Sequence, residues 1–273
     1  MKYKLIASDL DETLLNDQKH VDAKTCQAIL QARKQGVIFV PCTGRGFTLI
    51  RRTLRELNLL NAQNEYVISF NGSVVTENYQ EQVIQQVLMN YDTINTLFEI
   101  GIRNHLAMHV YTLRDVFVYN MNADENDYLS RLGFQYHTLA QPSISLLQDQ
   151  PMEKILYMNK DRAELDDVRS QIPSDLLAQL TVTYSSNRYM EFNPLGINKG
   201  QGLLQLLQHL HIKPEETIAI GDSFNDIEML KVAGLGVAVK NAVPEVKDVA
   251  NYVTNNDYNH DAVAEVIKKF VLD

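Results

Sequence analysis

Apolar residues along the chain follow two spacings. Residues 3–8 hold Leu5, Ile6 and Ala7 in sequence, the unbroken run of a strand covered on both faces. Residues 37–40 and 66–70 have the same character. Between the first two runs, Cys26, Ile29 and Leu30 predict a helix. Asp22 stands where that helix would be capped, and Gly36 where a left-handed residue would end it. Asn71-Gly72 predicts a tight turn into a further strand over residues 73–77. Alternating strands and helices favour parallel pairing through right-handed crossovers.

From about Gln82 to Phe192 the pattern changes. Short strands are predicted at 107–111, 115–119, 153–158 and 181–185, mixed with helices and polar loops, and no cluster of catalytic residue types stands out. After Asn193-Pro194-Leu195-Gly196 the earlier alternation returns. Leu203, Leu206, Leu207 and Leu210 share one helical face. A strand over 217–220, a helix over 224–232 and a strand over 235–239 follow. Val263, Val266, Ile267 and Phe270 then mark a last amphipathic helix. The chain therefore reads as one α/β core made from both ends, residues 1–82 and 194–273, with an α+β domain inserted over 83–193.

Composition narrows the function classes. A chain of 273 residues has room for two domains. Lys and Arg number 25 against 34 Asp and Glu, a net charge of −9, which opposes binding along a nucleic-acid backbone. No apolar run approaches the roughly 18 residues of a membrane span. The first apolar stretch is short and meets Asp9 at once, unlike a signal peptide. Cys26 and Cys42 are the only cysteines, too few for a disulfide framework, so a cytoplasmic setting is expected. The expected partner is a small molecule rather than nucleic acid or membrane, and the expected state is a monomer or weak homo-oligomer.

Three predicted strands run into polar sequence at their carboxyl ends, where open parallel sheets bind ligands. The first leads into Asp9-Leu10-Asp11-Glu12-Thr13-Leu14, the second into Thr43-Gly44-Arg45, and that over 217–220 into Gly221-Asp222-Ser223-Phe224-Asn225-Asp226. Singly, each has a local reading. Asp9 and Asp11 suit a turn; Ser223 and Asp226 suit a capping box; Lys199 suits a solvated helix start. Together, in this order, they predict one crevice holding several carboxylates. Two such charges repel by about 4 kcal/mol at 4 Å in an effective dielectric of 20, so a cation belongs between them. Oxygen ligands without His or Cys suit Mg²⁺ better than zinc. His105, His109 and His137 of the insert lack paired spacing and are not read as a metal site.

In these segments and their order, with Lys199, the sequence resembles the haloacid dehalogenase superfamily. The large insert, between Asn71-Gly72 and Gly196-Ile197-Asn198-Lys199-Gly200, resembles its Cof-type (class IIB cap) phosphatase branch. The resemblance implies a Rossmann-like, mostly parallel sheet core flanked by helices, with the insert as a cap. It implies an Mg²⁺-dependent phosphomonoesterase acting through an aspartyl-phosphate. Asp9 would be the nucleophile and Asp11 the general acid and base. Asp9, Asp222 and the Asp11 backbone carbonyl would hold the metal. Leu10, Thr43, Gly44, Lys199 and Asn225 would contact the phosphate, and Arg45 and Asn71 the substrate. Asp226 would orient Lys199 or metal-bound water. Sugar phosphates are the expected substrates. A phosphomutase would use the same nucleophile; a phospho-accepting signalling module would be shorter, with its acceptor on a middle strand. Glu12 departs from the family pattern, standing where many members have glycine.

Overall fold

The computed structural model describes residues 2–131, 134–185 and 187–272. The chain forms two compact units, Met1–Gln86 with Asn198–Asp273, and Val87–Ile197. Both boundaries fall four residues beyond 82/83 and 193/194. At the first, Gln82–Gln86 is a strand paired within unit one. At the second, the last strand of unit two runs to Pro194.

Unit one opens with β1 (Leu5–Ser8), α1 (Ala23–Lys34), β2 (Ile38–Pro41), α2 (Arg51–Glu56), β3 (Tyr66–Ser69), β4 (Val74–Glu77) and β5 (Gln82–Gln86). Unit two carries α3 (Tyr91–Arg103), β6 (Ala107–Thr112), β7 (Val116–Tyr119), α4 (Ala123–Arg131), β8 (His137–Leu139), β9 (Met152–Met158), α5 (Arg162–Ser170), α6 (Ser174–Leu177), β10 (Leu180–Ser185) and β11 (Tyr189–Pro194). Unit one then resumes with α7 (Lys199–Leu210), β12 (Thr217–Gly221), α8 (Ile227–Val232), β13 (Leu235–Ala238), α9 (Pro244–Val249), β14 (Tyr252–Val253) and α10 (Ala262–Ile267).

The core of unit one is a five-stranded sheet in the order β14-β13-β12-β1-β2, parallel at every pairing. β1 lies between β12 and β2, and Leu5, Ile6 and Ala7 are fully buried. That explains their unbroken apolar run. β3, β4 and β5 form a separate antiparallel sheet. Among the described residues, it meets the parallel sheet at the bridge of Cys42 to Ile68, with the Thr43 N–H donating to the Ile68 carbonyl at 2.9 Å. The run at 66–70, read as one more buried strand, thus starts a hairpin.

Two local expectations are corrected. Asp22 occupies the N-cap position of α1 without capping it, because its carboxylate accepts from Asn16 Nδ2 at 2.9 Å instead. The buried face of α1 is Thr25, Ala28, Ile29 and Ala32, which turns Leu30 outward at 39% exposure. The stretch 224–232 is helical, a 3-10 turn over Phe224–Asp226 leading into α8. Gly36 does adopt the left-handed conformation, φ +88°.

Unit two is a six-stranded sheet, β10-β11-β9-β6-β7-β8, antiparallel except where β8 pairs with β7. Helix α3 contributes Ile94, Leu97 and Phe98 to a core with Met108, Val110, Ile155 and Phe192. Asn90 caps α3 by accepting from the Asp92 N–H at 2.7 Å. Of the histidines, only His109 is buried, its Nε2 3.2 Å from Glu125 Oε1; His105 and His137 are exposed. Among the described residues, no helix is long and apolar enough to cross a membrane.

Candidate active site

Strand register delivers the acidic residues to one end of the parallel sheet. Ser8 pairs with Ile220, and the Asp9 N–H donates to the Ile220 carbonyl at 2.9 Å. Asp9 therefore leaves β1 beside the point where Asp222 leaves β12. Lys199 is the first residue of α7, whose N-cap Asn198 accepts from the Gln201 N–H at 2.9 Å. The Asn71-Gly72 turn fixes that helix start: Gly72 has φ +101°, and a Cβ on it would lie 2.2 Å from the Asn198 carbonyl oxygen.

Lys199 is fully buried. Its Nζ donates to Asp9 Oδ1 at 2.5 Å and to Asp226 Oδ1 at 2.6 Å. The other Asp226 oxygen accepts from the backbone N–H groups of Asp222 and Ser223, both at 3.0 Å. Asp226 thus closes its own loop and holds Lys199 at once. Thr13 donates to Asp222 Oδ1 at 2.7 Å. One ligand oxygen from each of Asp9, Asp222 and Asp226 lies within 4.8 Å of the others.

Burial governs the electrostatics of this cluster. It pushes the Asp9 carboxyl up to about 7, against the opposing pull of Lys199. It pushes Asp222 up to about 9, with the charges of Asp9 and Asp226 adding to the effect. For Lys199, burial opposes the ammonium, but Asp226 and Asp9 outweigh it and hold the amine well above its ordinary range. The carboxylates are short of positive charge, which Lys199 alone does not supply.

Asp11 points elsewhere. Its carboxylate Oδ1 accepts from the Arg45 guanidinium and, at 3.0 Å, from Lys19 Nζ. Burial alone would raise its pKa, but these two cations prevail and hold it below the usual carboxylate range. Arg45, expected to meet substrate, thus ends on Asp11. Its own N–H donates to Thr43 Oγ1 at 3.1 Å. Asn225 Nδ2 donates to Asn71 Oδ1 at 3.1 Å, and a Cβ on Gly44 would lie 3.0 Å from that same oxygen. The Leu10 side chain is buried in the core, so any phosphate contact there falls to its backbone.

Two residues of this site had no role assigned from sequence. Thr13 lies inside the first acidic segment, and that placement was the available signal. Lys19 lies beyond it, and no local pattern marks it.

The profile of the haloacid dehalogenase-like hydrolases matches residues 6–267. The chain belongs to this family. YxeH of Bacillus subtilis, a provisionally named phosphatase, is 32% identical over 99% of this chain and 99% of its own length. The 5-amino-6-(5-phospho-D-ribitylamino)uracil phosphatase YcsE of the same organism is 30% identical over 98% of this chain and 96% of its own. The haloacid dehalogenase subclass IIB sugar phosphatase BT4131 shares the fold, with a TM-score of 0.84 at 23% identity and 98% of each chain covered. Relatives matched along nearly their whole length are named as phosphatases, and this chain is a phosphatase of that family.

Members of the family generally use Mg²⁺, and the donor set here fits one. Asp9 and Asp222 each spend one oxygen on Lys199 or Thr13. Their Oδ2 atoms accept no hydrogen bond from the described residues. Carboxylate oxygens of this kind, in a cluster short of cations, suit a hard divalent ion.

Proposed function

We propose that this phosphatase hydrolyses small phosphomonoesters through a phosphorylated Asp9, with Mg²⁺ as cofactor. The observation that carries this reading is the buried constellation of Asp9, Asp222 and Asp226 around Lys199. Asp9, Asp222 and the Asp11 carbonyl would hold the ion, which when bound offsets carboxylate charge and polarises the phosphoryl oxygens. Asp9 attacks phosphorus through its carboxylate, whose Oδ1 lies 2.5 Å from the Lys199 ammonium. Lys199 carries positive charge to the same place, so the phosphoryl group meets an ammonium as it meets the nucleophile. Thr43, Gly44, the Leu10 backbone and Asn225 bind the remaining phosphate oxygens. Asp11 protonates the leaving oxygen and later takes a proton from the attacking water.

The substrate class is a phosphorylated polyol or sugar. YcsE is named for a phosphorylated ribityl compound and BT4131 as a sugar phosphatase; a polyhydroxylated phosphomonoester is common to both. The inserted unit is assigned the role of cap, and selection of the leaving group falls to it. A cytoplasmic location is in keeping with two unpaired thiols, Cys26 and Cys42.

The test is phosphate release from a panel of sugar and polyol phosphates, with Mg²⁺ or with EDTA. Release that requires Mg²⁺ and disappears in Asp9→Asn is expected. Turnover by Asp9→Asn would remove the nucleophile assignment. Isomerised sugar phosphate in place of inorganic phosphate would mark a mutase.

A further inference from the structure

Lys19 lies outside every segment that carries the family resemblance, yet its ammonium reaches Asp11 Oδ1 at 3.0 Å, the oxygen that Arg45 also holds. Its backbone sits at φ +60°, a left-handed conformation unfavourable for a lysine. The loop is tied down on both sides of it. The Lys19 N–H donates to the Asn16 carbonyl at 2.8 Å, and Asn16 Oδ1 accepts from the N–H groups of Gln18 at 3.1 Å and His20 at 3.0 Å. The Lys19 carbonyl accepts from the Arg52 guanidinium on α2. One turn along α2, Glu56 accepts from the Val21 N–H at 3.0 Å and meets the His20 ring at 2.6 Å. A strained residue held by this many bonds has its side chain aimed by the fold.

Both cations bind the same oxygen. Asp11 Oδ2 accepts no hydrogen bond from the described residues. A carboxylate without such a clamp rotates about its terminal torsion, and either oxygen then faces the site. We infer that Lys19 is a positioning residue for Asp11, fixing Oδ1 with Arg45 so that Oδ2 is the oxygen that exchanges the proton. This rests on the acid–base role proposed for Asp11. In the first step the ester P–O bond breaks as the Asp9 O–P bond forms, and the leaving oxygen takes the proton from Oδ2. In the second, water attacks phosphorus, the Asp9 O–P bond breaks, and the proton lost by water returns to Oδ2. Lys19 touches neither phosphorus nor the leaving oxygen and acts through Asp11 alone.

A double-mutant cycle on alkyl phosphate hydrolysis tests this. Lys19→Gly removes the ammonium while suiting the left-handed backbone, so its melting temperature should stay unchanged or rise. Its kcat should fall about tenfold with KM within about twofold, the signature of lost positioning. Lys19→Arg should recover most of the loss. In an Asp11→Asn background, Lys19→Gly should cause no further fall, since its only route is gone. An equal fall in both backgrounds would show that Lys19 acts independently of Asp11 and would overturn the inference while sparing the acid–base role. A rise in KM at constant kcat would make Lys19 a substrate ligand and overturn it likewise. If Asp11→Asn itself leaves kcat intact, the acid–base role falls and the positioning role falls with it.

Discussion

Glu12 shows how a single residue can carry backbone strain. Its φ of +60° is the conformation that glycine adopts freely. Its carbonyl accepts from Asn241 Nδ2 at 2.8 Å, which holds the backbone in place. A left-handed non-glycine residue costs about 1–2 kcal/mol, and a β-branched one costs more. Glu12→Val is therefore expected to lower the melting temperature by about 3–5 °C. Glu12→Gly should leave it within about 2 °C, because relieved strain offsets the added freedom of the unfolded chain. Thermal denaturation of the two variants side by side checks this; equal losses would mean that the backbone at Glu12 is unstrained.

Among the elements, α7 is the one whose placement the site needs most. Lys199 is its first residue, and nothing in the sequence near it says where the helix will start in space. Gly72 decides that. Its Cα lies against the helix start, and Gly202 faces it from α7, where an added Cβ would come within 2.7 Å of the Gly72 Cα. Two glycines let the hairpin turn and the helix touch backbone to backbone. Gly72→Ala would meet a backbone carbonyl that cannot swing aside, and at φ +101° it would also strain the turn. A destabilisation of about 2–4 kcal/mol is expected, with a fall in kcat because Lys199 moves with the helix. Denaturant melts and kinetics on the same preparation check both, and a stable variant with native kcat would show that α7 is not set by this contact.

At the scale of the whole molecule, the buried carboxylates couple stability to pH and metal. Asp9 titrates near 7 and Asp222 near 9 when folded, both above an unfolded value near 3.8, so the folded state binds more protons between pH 4 and 9. Stability from these two groups is therefore lost as pH rises through that window. Asp11 is depressed and Lys199 elevated, so their contributions stay constant across it. In EDTA, the melting temperature should fall by several degrees from pH 6 to pH 9. Added Mg²⁺ should raise it, and by more at pH 9, because a cation competes there with fewer bound protons. A Mg²⁺ effect independent of pH would place the ion away from these carboxylates.

Periodicity and order along the chain were enough for much of this. The apolar run at Leu5–Ser8, the leucine face of α7 and the four polar segments at helix and strand ends are local properties, and strand, helix and motif order follow from them. What the sequence left open was set by contacts between distant residues. Asp22 bonds Asn16 rather than its own helix, because a nearby amide competes for the same carboxylate. Residues 66–70 form the hairpin that the Asn71-Gly72 turn predicts, but their link to the parallel sheet is the bridge from Ile68 to Cys42, which no run of apolar residues encodes. Thr13 reaches Asp222 across 209 positions, and Lys19 reaches Asp11 because α2 holds its loop. Side-chain direction and charge pairing of that kind arise only when the folded backbone brings the partners within hydrogen-bonding distance.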